Sequence, residues 1–287
     1  MYSNPPFNKV HLGLGGGNML QVANRTHTQM MSYLIKTPDG KTVMIDGGNV
    51  KRDGDAKHLY ELLSQNGKHV DKWFITHAHS DHYGALLWLL ENIKPFDITI
   101  DELYFNFPPL EWFKIADGGD GYDRVVQFYT ALENNSINCI TMQKGDIIDC
   151  GGMSFEILNN CDNYENYVEI NDASIVIMAH FPHRDVLFLA DIETPGGEDL
   201  IKACGKEKLR CDIVQLAHHG QNGVRKDFYE IVQPKICLYN APDWLWNNDA
   251  GEGFDTGIWK TVETRGWMKD LGVQASFPIA YGDYLFD

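Results

Sequence analysis

The sequence lacks the features that mark nucleic-acid-binding and membrane-spanning proteins. It contains no run of lysine or arginine, and 40 acidic residues against 24 basic ones give a formal net charge of −16. Binding to long nucleic acid depends on neutralising phosphates, so this charge disfavours a polyanionic partner. The apolar runs are far shorter than the roughly 20 residues that cross a bilayer, which predicts no membrane partner.

Cysteine is sparse, and so are the signals of processing and of domain boundaries. The six cysteines include no Cys-x-x-Cys pair, which favours free buried thiols over disulfides. No basic segment followed by an apolar one opens the chain, so we expect a soluble, cytoplasmic protein, unless a secretion leader has been trimmed away. No Pro/Gly/Ser-rich linker or internal repeat divides the chain, and residues 1–287 are therefore expected to form a single domain.

Apolar material is present in quantity, since 44% of the residues are hydrophobic and 12% are aromatic. Segments typical of strands and of helices alternate along the chain, and hairpins dominate its middle. One predicted hairpin joins residues 31–36 to residues 42–45 through the turn Thr37-Pro-Asp-Gly40. This pattern predicts an α/β (α+β) fold with sheets sandwiched between helices, rather than a uniformly parallel sheet.

The segment His77-Ala-His-Ser-Asp-His82 concentrates three imidazoles and one carboxylate. Apolar residues 72–76 predict a strand before it and residues 83–92 a helix after it, so the segment is a loop between them. In an extended loop His77 and His79 project to the same side and can bind one ion. The turn into the helix then directs Asp81 and His82 towards a second ion, and the two ions of such a site lie about 3.5–4 Å from each other. The alternative is a solvated loop in which Asp81 caps the helix.

Two other apolar segments end in residues that bind metals. Residues 186–190 lead directly to Asp191, whose carboxylate can bridge two ions, and residues 212–217 lead to His218 and His219. Taken alone, Asp191 would be a turn or capping residue and the two histidines a surface pair. Because both positions follow predicted buried strands, their combination favours a shared metal site.

These segments, in this order, resemble the metallo-β-lactamase superfamily, and the closer likeness is to the branch of ComEC-type competence proteins and phosphorylcholine esterases. The resemblance rests on the following stretches: Lys36-Thr-Pro-Asp-Gly-Lys41, Ile45-Asp-Gly-Gly48, Thr76-His-Ala-His-Ser-Asp-His-Tyr-Gly84, Asn171-Asp-Ala-Ser-Ile-Val-Ile177, Leu189-Ala-Asp-Ile-Glu193 and Leu216-Ala-His-His-Gly220. It implies a four-layer αβ/βα sandwich with the metal site at one edge.

The resemblance also implies the metal ligands. They are His77, His79, Asp81, His82, Asp191 and His219. His77 and His79 would hold the first ion, and Asp191 would bridge the first ion to the second. We expect two divalent ions, and zinc is the preferred candidate. Manganese and iron are alternatives, because ligand softness does not decide between the three metals.

The neighbouring residues receive supporting roles. The sequence itself does not separate His218 from His219, but the resemblance favours His219 as the ligand and His218 as a catalytic donor to the substrate oxyanion. Asp81 is expected to act in catalysis as well as in metal binding. Asp46 and Asn171 are expected to orient the ligands by hydrogen bonds.

The chain departs from the family pattern at the first metal. True β-lactamases and glyoxalases have a third histidine there, where this chain reads Asn171-Asp-Ala-Ser174. His180 and His183 lie nearby in sequence, but both fall in a predicted hairpin turn and are expected at the surface. Fewer protein ligands at the first metal would leave positions that phosphate oxygens can occupy.

Two cations and two carboxylates leave a positive site, which favours a small anionic substrate. We therefore expect hydrolysis of a phosphodiester or phosphoester by metal-activated hydroxide. A lactonase or thioesterase remains an alternative, as does an iron-binding oxidoreductase or sensor. Trp244 and Trp246 are expected to pack beneath the sandwich; alternatively they share one face of a pocket mouth and contact a base or a quaternary ammonium group.

Overall fold

The computed structural model describes residues 7–287. Within them the strands are β1 (Asn8–Val10), β2 (Asn18–Gln21), β3 (Tyr33–Lys36), β4 (Thr42–Ile45), β5 (His69–Phe74), β6 (Thr99–Phe105), β7 (Cys139–Thr141), β8 (Ile147–Cys150), β9 (Met153–Ile157), β10 (Ile177–His180), β11 (Asp185–Phe188), β12 (Ile213–Gln215), β13 (Ile236–Tyr239), β14 (Ala275–Pro278) and β15 (Tyr284–Phe286). The α-helices are α1 (Asp53–Gln65), α2 (Ser80–Asn92), α3 (Tyr122–Asn134), α4 (Thr194–Cys204), α5 (Lys226–Val232), α6 (Asp243–Trp246) and α7 (Thr261–Asp270).

The strands form two mixed sheets. The first has the order β1-β15-β2-β3-β4-β5-β6-β7, and the second has the order β14-β13-β12-β11-β10-β9-β8. Hairpin neighbours pair antiparallel, as β3 does with β4, whereas strands joined through a helix pair parallel, as β4, β5 and β6 do. The combination of hairpins with helical crossovers is the mixed architecture that the sequence predicts.

Buried apolar side chains fill three layers between the sheets and the helices. Trp73 and Phe74 are adjacent on β5 and both fully buried, because successive residues of a strand point to opposite faces and both faces are covered. Phe74 packs between the two sheets with Phe188. Trp73 packs under the helices of the first sheet with Leu86 of α2, and Phe228 of α5 packs on the outer face of the second sheet. The result is the expected four-layer αβ/βα sandwich.

Helix α2 is held tightly against the loop that follows β4. A side chain at Gly84 would place its Cβ 2.4 Å from the backbone nitrogen of Val50, so only glycine allows this approach. The backbone N–H of Gly47 donates to His82 O at 2.5 Å, and that of Ala85 donates to Gly48 O at 3.0 Å. The start of α2, which carries the histidine segment, is thereby fixed against the Asp46 loop.

The edge of the first sheet differs from the sequence prediction. The apolar residues of the segment 10–14 predict a strand there, but β1 ends at Val10, and no local pattern predicts β2. Strand β15 lies between β1 and β2, pairing parallel with the first and antiparallel with the second. This arrangement depends on the last residues of the chain, so local patterns near the first residues do not reveal it.

Two further expectations bear on the class of protein. Among residues 7–287, no helix is long and apolar enough to cross a bilayer. All six cysteines are free, and four of them are buried. That residues 1–287 form one domain stays a prediction.

Candidate metal centre

The histidine segment occupies the loop between β5, which ends at Phe74, and α2, which begins at Ser80. The extended backbone of His79, with φ −92° and ψ 146°, brings its ring beside that of His77. His77 Nε2 and His79 Nδ1 lie 3.2 Å apart. Two nitrogens bound at 2.0–2.1 Å to one tetrahedral ion would be separated by about 3.3 Å. The two rings therefore present their nitrogens with the spacing of ligands to a single ion.

A second group of ligand atoms joins the edges of both sheets. Asp81 and His82 come from the start of α2, while Asp191 follows β11 and His219 follows β12. One ligand atom from each of these four residues lies within 4.8 Å of all the others. His219 Nε2 is 3.1 Å from Asp81 Oδ2 and 3.1 Å from Asp191 Oδ2.

Two atoms of this group have no hydrogen-bond partner among the described residues. They are His82 Nε2 and Asp191 Oδ1, which lie 3.3 Å apart on side chains that are 0% and 3% exposed. The two atoms face each other at ion-pair distance without forming a hydrogen bond, so the cost of burying each is only partly offset within the protein. A cation would satisfy both atoms, and imidazole and carboxylate are ligands that zinc, manganese and iron accept. The residues therefore fit a divalent metal.

The charges within the group are strongly coupled. Burial favours a neutral Asp191, but the neighbouring His219 and His82 outweigh it and hold the pKa of the Asp191 carboxyl well below its usual range. Burial also lowers the pKa of His219, whereas Asp191 and Asp81 raise it, to about 9. The carboxylates thus favour positive charge at the imidazole nitrogens, which is the preference that a bound cation satisfies.

Asp46 orients His82 from behind the ligands. Its Oδ2 lies 2.7 Å from His82 Nδ1, the ring nitrogen that faces away from Asp191. The carboxylate also accepts hydrogen bonds from the backbone N–H and the hydroxyl of Thr76, at 2.8 and 2.9 Å. This is the orienting position that the sequence analysis expects for Asp46, and it leaves Nε2 of His82 as the ligand atom.

In His219 and His79, too, the ring nitrogen that faces away from the ligand group lies at hydrogen-bond distance from an oxygen of the protein. His219 Nδ1 lies 3.0 Å from the backbone oxygen of Asn240, at the end of β13. His79 Nε2 lies 2.6 Å from Asp117 Oδ2. Neither Asn240 nor Asp117 was singled out in the sequence. For Asn240 the available signal was its place directly after a buried strand; for Asp117 it was the Asp-Gly-Gly stretch, which resembles the one at Asp46.

His218 lies beside the ligand group rather than within it. Its Nδ1 is 3.1 Å from Glu193 Oε1, and the centroid of its ring is 6.1 Å from that of His219. The backbones of both residues are in the left-handed region, with φ values of 48° and 57°. This conformation turns the two neighbouring rings in different directions, so that only His219 reaches Asp81 and Asp191.

The expected role of Asn171 needs correction. Its Nδ2 donates to Glu193 Oε1 at 3.0 Å, and none of its hydrogen bonds reaches a predicted ligand. The reason is local, since Asn171 belongs to a short 3₁₀ turn (Ile170–Ala173) that packs against the start of α4. Asn171 therefore supports Glu193, and through it the surroundings of His218.

A pocket of about 500 Å³ opens next to Asp81. Its lining includes Ser80, Asp81 and three exposed or half-exposed groups that suit an anionic or aromatic ligand: Lys51, Arg124 and Trp244. The two cations come from the loop before α1 and from the first turn of α3. Sequence reasoning missed both, because neither belongs to a run of basic residues or to a motif.

The two tryptophans separate in the structure. Trp244 lines the pocket, donates its Nε1–H to the backbone oxygen of His27 at 2.9 Å and contacts Trp259. Trp246 is 7% exposed and packs on Tyr239, in line with the expected packing, so the alternative that places it at a pocket mouth is wrong. The shared face assumed an extended segment, but Trp244 and Trp246 lie on α6, where residues two apart are about 200° apart around the axis.

His180 and His183 lie on the hairpin between β10 and β11, away from the ligand group. His180 Nδ1 is 2.8 Å from Asp185 Oδ1, and His183 is exposed. No third histidine therefore comes from this hairpin to the pair formed by His77 and His79.

The model of the metallo-β-lactamase superfamily matches residues 25–226, a range that contains every predicted ligand. The chain belongs to this superfamily. No curated protein matches it in sequence. Its more specific likeness to the ComEC and phosphorylcholine esterase branch stays a prediction.

Solved structures with the same fold cover nearly the whole chain. The metallo-β-lactamase-fold protein YhfI from Bacillus subtilis is similar over 94% of this chain and 99% of its own, with a TM-score of 0.57 at 10% identity. CmlA, a diiron β-hydroxylase from Streptomyces venezuelae, is similar over 95% of this chain, with a TM-score of 0.54 at 12% identity. The chain spans 53% of the length of CmlA. At these identities the likeness establishes the metallo-β-lactamase fold.

Proposed function

We propose that the protein is a metal-dependent hydrolase of small phosphoesters, phosphodiesters first. The observation that carries the proposal is the pair of buried ligand atoms His82 Nε2 and Asp191 Oδ1, which face each other at 3.3 Å and form no hydrogen bond among residues 7–287. His77 and His79 would hold one ion, and Asp191 would link it to the ion on the second group of ligands. Two divalent ions, when bound, supply a water of lowered pKa and positive charge for a developing oxyanion.

The positively charged side chains that line the pocket beside Asp81 favour an anionic substrate. Lys51 and Arg124 are exposed there, in a protein whose net charge is −16. Such a local concentration of positive charge attracts anions that the remaining surface repels. Guanidinium also matches the geometry of phosphate oxygens, which an uncharged lactone or thioester lacks. In this proposal Arg124 and Lys51 bind the non-bridging oxygens of the substrate.

His218 is the proposed donor to a phosphoryl oxygen. Its ring lies beside the ligands, is 20% exposed and has the Glu193 carboxylate against Nδ1. The Glu193 carboxylate faces Nδ1 without hydrogen-bond geometry, and Nε2 on the other side of the ring is the atom that would donate to the substrate. Asp81 contacts His219, the neighbour of His218 in the chain. Through this contact Asp81 would keep the ligands of the second ion in a constant position relative to His218.

The test compares ester classes under metal control. Nitrophenyl phosphodiesters, phosphomonoesters, acyl esters and a lactone are assayed with protein stripped by chelator and then reloaded with zinc, manganese or ferrous iron. We expect phosphodiester hydrolysis that disappears on stripping and returns with a divalent ion. Turnover of the acyl substrates alone would favour the lactonase or thioesterase, and oxygen consumption with iron alone would favour the oxidoreductase. Equal phosphodiester rates with and without metal would refute the proposal.

Arg124→Ala and Lys51→Ala test the anionic pocket separately. Each should raise KM for a phosphodiester about 5- to 10-fold, since a hydrogen bond to a charged group contributes about 1.5–3 kcal/mol and these side chains are partly solvated. kcat should change less than KM. The matched control is Arg52→Ala, because Arg52 is the exposed neighbour of Lys51 but lies outside the pocket lining. An equal rise in KM in the control would indicate a general effect of net charge.

A further inference from the structure

One carboxylate outside all the predicted motif residues contacts a candidate metal ligand. Asp117 Oδ2 lies 2.6 Å from His79 Nε2, and the two side chains are 18% and 27% exposed. We propose that Asp117 is a positioning residue of the first metal half-site, the part of the centre formed by His77 and His79. In this role Asp117 fixes the orientation and the tautomer of His79. The inference rests on the metal dependence in the proposed function, but it does not depend on the choice of substrate.

The orientation of the His79 ring determines what Asp117 can do. His79 Nδ1 faces His77 Nε2 at 3.2 Å, so Nδ1 is the nitrogen turned towards a shared ion. Nε2 lies on the other side of the ring, where it meets Asp117. A neutral imidazole carries one proton, and a carboxylate at Nε2 retains that proton there. The lone pair of Nδ1 is then available to the ion, which is how a carboxylate strengthens a histidine ligand.

Asp117 is itself held firmly in place. Its backbone N–H donates to Val168 O at 3.1 Å, and its Oδ1 accepts the backbone N–H of Ile170 at 2.9 Å. The residue has φ 50° and ψ 31°, and Gly118 continues in the left-handed region with φ 71°. This turn points the carboxylate back over the histidine loop. A side chain fixed at both ends can set the position of the ring that it contacts.

This contact has more weight here than in a site with three histidines. His77 and His79 are the histidines of the first half-site, and the stretch that would supply a third reads Asn171-Asp-Ala-Ser174. With fewer ligands, the affinity of the first ion depends more strongly on the exact placement of each ring. Asp117 would therefore affect the first ion selectively, because Asp46 and Asn240 hold the histidines of the second group.

The experiment measures metal binding in the absence of substrate. Wild type, Asp117→Ala, Asp117→Asn and the control Asp120→Ala are stripped and titrated with zinc against a chromogenic chelator, and the cobalt forms are recorded by absorption spectroscopy. Asp120 is exposed and only three residues away. We expect two ions in wild type and in the control. Asp117→Ala should lower the affinity of one ion about 10- to 100-fold and leave the other unchanged.

Asp117→Asn should fall between wild type and Asp117→Ala, because the amide oxygen still accepts the Nε2 proton without its charge. A double-mutant cycle with His79→Ala adds the decisive comparison. If Asp117 acts through His79, its removal costs no further affinity once His79 is absent. An equal loss in both backgrounds, or loss of an oxygen ligand in the cobalt spectrum, would make Asp117 a direct ligand and overturn the positioning role.

Unchanged affinities in Asp117→Ala would overturn the inference while leaving the metal centre intact. Absence of metal binding in wild type would overturn the metal centre first, so the two failures are distinguishable. Thermal unfolding of the stripped variants separates both from a folding defect. If Asp117→Ala does not fold, Asp117→Asn carries the test, because it conserves the shape of the side chain.

Discussion

The buried cluster around Asp283 and the buried cluster around Asp191 use similar side chains but are satisfied in different ways. Asp283 accepts hydrogen bonds from the backbone N–H of Ala23 and from Arg25 Nη2, both at 2.7 Å. His58 Nε2 lies 3.0 Å from the same carboxylate. Neither Asp283 nor His58 has a buried side-chain atom without a partner among the described residues. This cluster is complete within the protein.

The Asp191 cluster has no arginine and is not complete. Its positive charge can come only from protonated histidines or from a cation, and in the described part of the chain two of its buried atoms, His82 Nε2 and Asp191 Oδ1, form no hydrogen bond. The Asp283 cluster joins the loop after β2, helix α1 and the approach to β15, so it fastens distant parts of the chain to one another. A buried group of aspartate and histidine therefore stabilises the fold when it is satisfied internally, and indicates a ligand when it is not.

The largest expected difference between the clusters is in activity. Asp191→Ala should reduce phosphodiester hydrolysis by more than about 10³-fold, because losing one oxyanion donor already costs about 10²–10³-fold and Asp191 is the carboxylate that both ions would share in the proposed function. Steady-state rates and metal content by elemental analysis measure it. Asp283→Ala serves as the counterpart and should retain activity per folded molecule. A fully active Asp191→Ala protein would end the distinction between the clusters.

The next effect is on stability. Asp283→Ala should lower the free energy of unfolding by about 3 kcal/mol, the lower end for a broken buried ion pair, because Arg25 is partly exposed. Urea unfolding followed by circular dichroism measures this change. Asp287→Ala is the matched control, since Asp287 also pairs with a histidine, His11, but both side chains are exposed. Equal destabilisation by the two changes would contradict the proposed role of burial.

The stabilisation of the protein by bound metal should depend on the Asp191 cluster and not on the Asp283 cluster. Zinc at 100 times its dissociation constant should stabilise the wild type by about 2.7 kcal/mol, the value for a ligand that binds only the folded state. Thermal unfolding with and without zinc measures the shift. Asp283→Ala should keep this increment, and Asp191→Ala should lose it. An identical increment in both variants would indicate that zinc binds elsewhere.

The smallest effect is the pH dependence of the Asp283 contribution. Burial raises the pKa of the Asp283 carboxyl, but His58 and Arg25 outweigh it and hold the pKa below its usual range. A depressed pKa in the folded state stabilises the protein above the unfolded value of about 3.9, and the stabilisation is lost as the pH falls through the folded pKa. The stability difference between wild type and Asp283→Asn should therefore be constant from about pH 7 to 5 and shrink below about pH 4. A stability difference that grows as the pH falls would contradict the prediction that folding lowers the pKa of the Asp283 carboxyl.

The histidine segment was predictable because its determinants are local. An apolar strand before His77 and a helical pattern after His82 place the segment at a strand end, and the parallel strands around it end at the same sheet edge. The same reasoning places Asp191 and His219 at the ends of β11 and β12. For these residues the order of strands and helices along the chain is enough to predict convergence.

Other residues were not predictable because their positions depend on packing between distant segments. Asp117 meets His79 only because its loop is held by Val168 and Ile170. Trp246 is buried because the segment after β13 folds into one helical turn instead of remaining extended. Asn171 turns towards α4 and Glu193. In each case a short irregular segment takes a conformation that its neighbours impose, and its own residues carry little preference.

The superfamily, the sandwich and the histidine and aspartate residues at the strand ends follow from the order of the amino acids, because strand period, helix period and motif spacing are properties of neighbouring residues. Contacts between distant segments bring His219 rather than His218 to Asp81 and Asp191, and place Asp117 behind His79. These outcomes depend on backbone conformations of single residues and on contacts across the sheet edge, where a difference of a few ångströms separates a ligand from its neighbour.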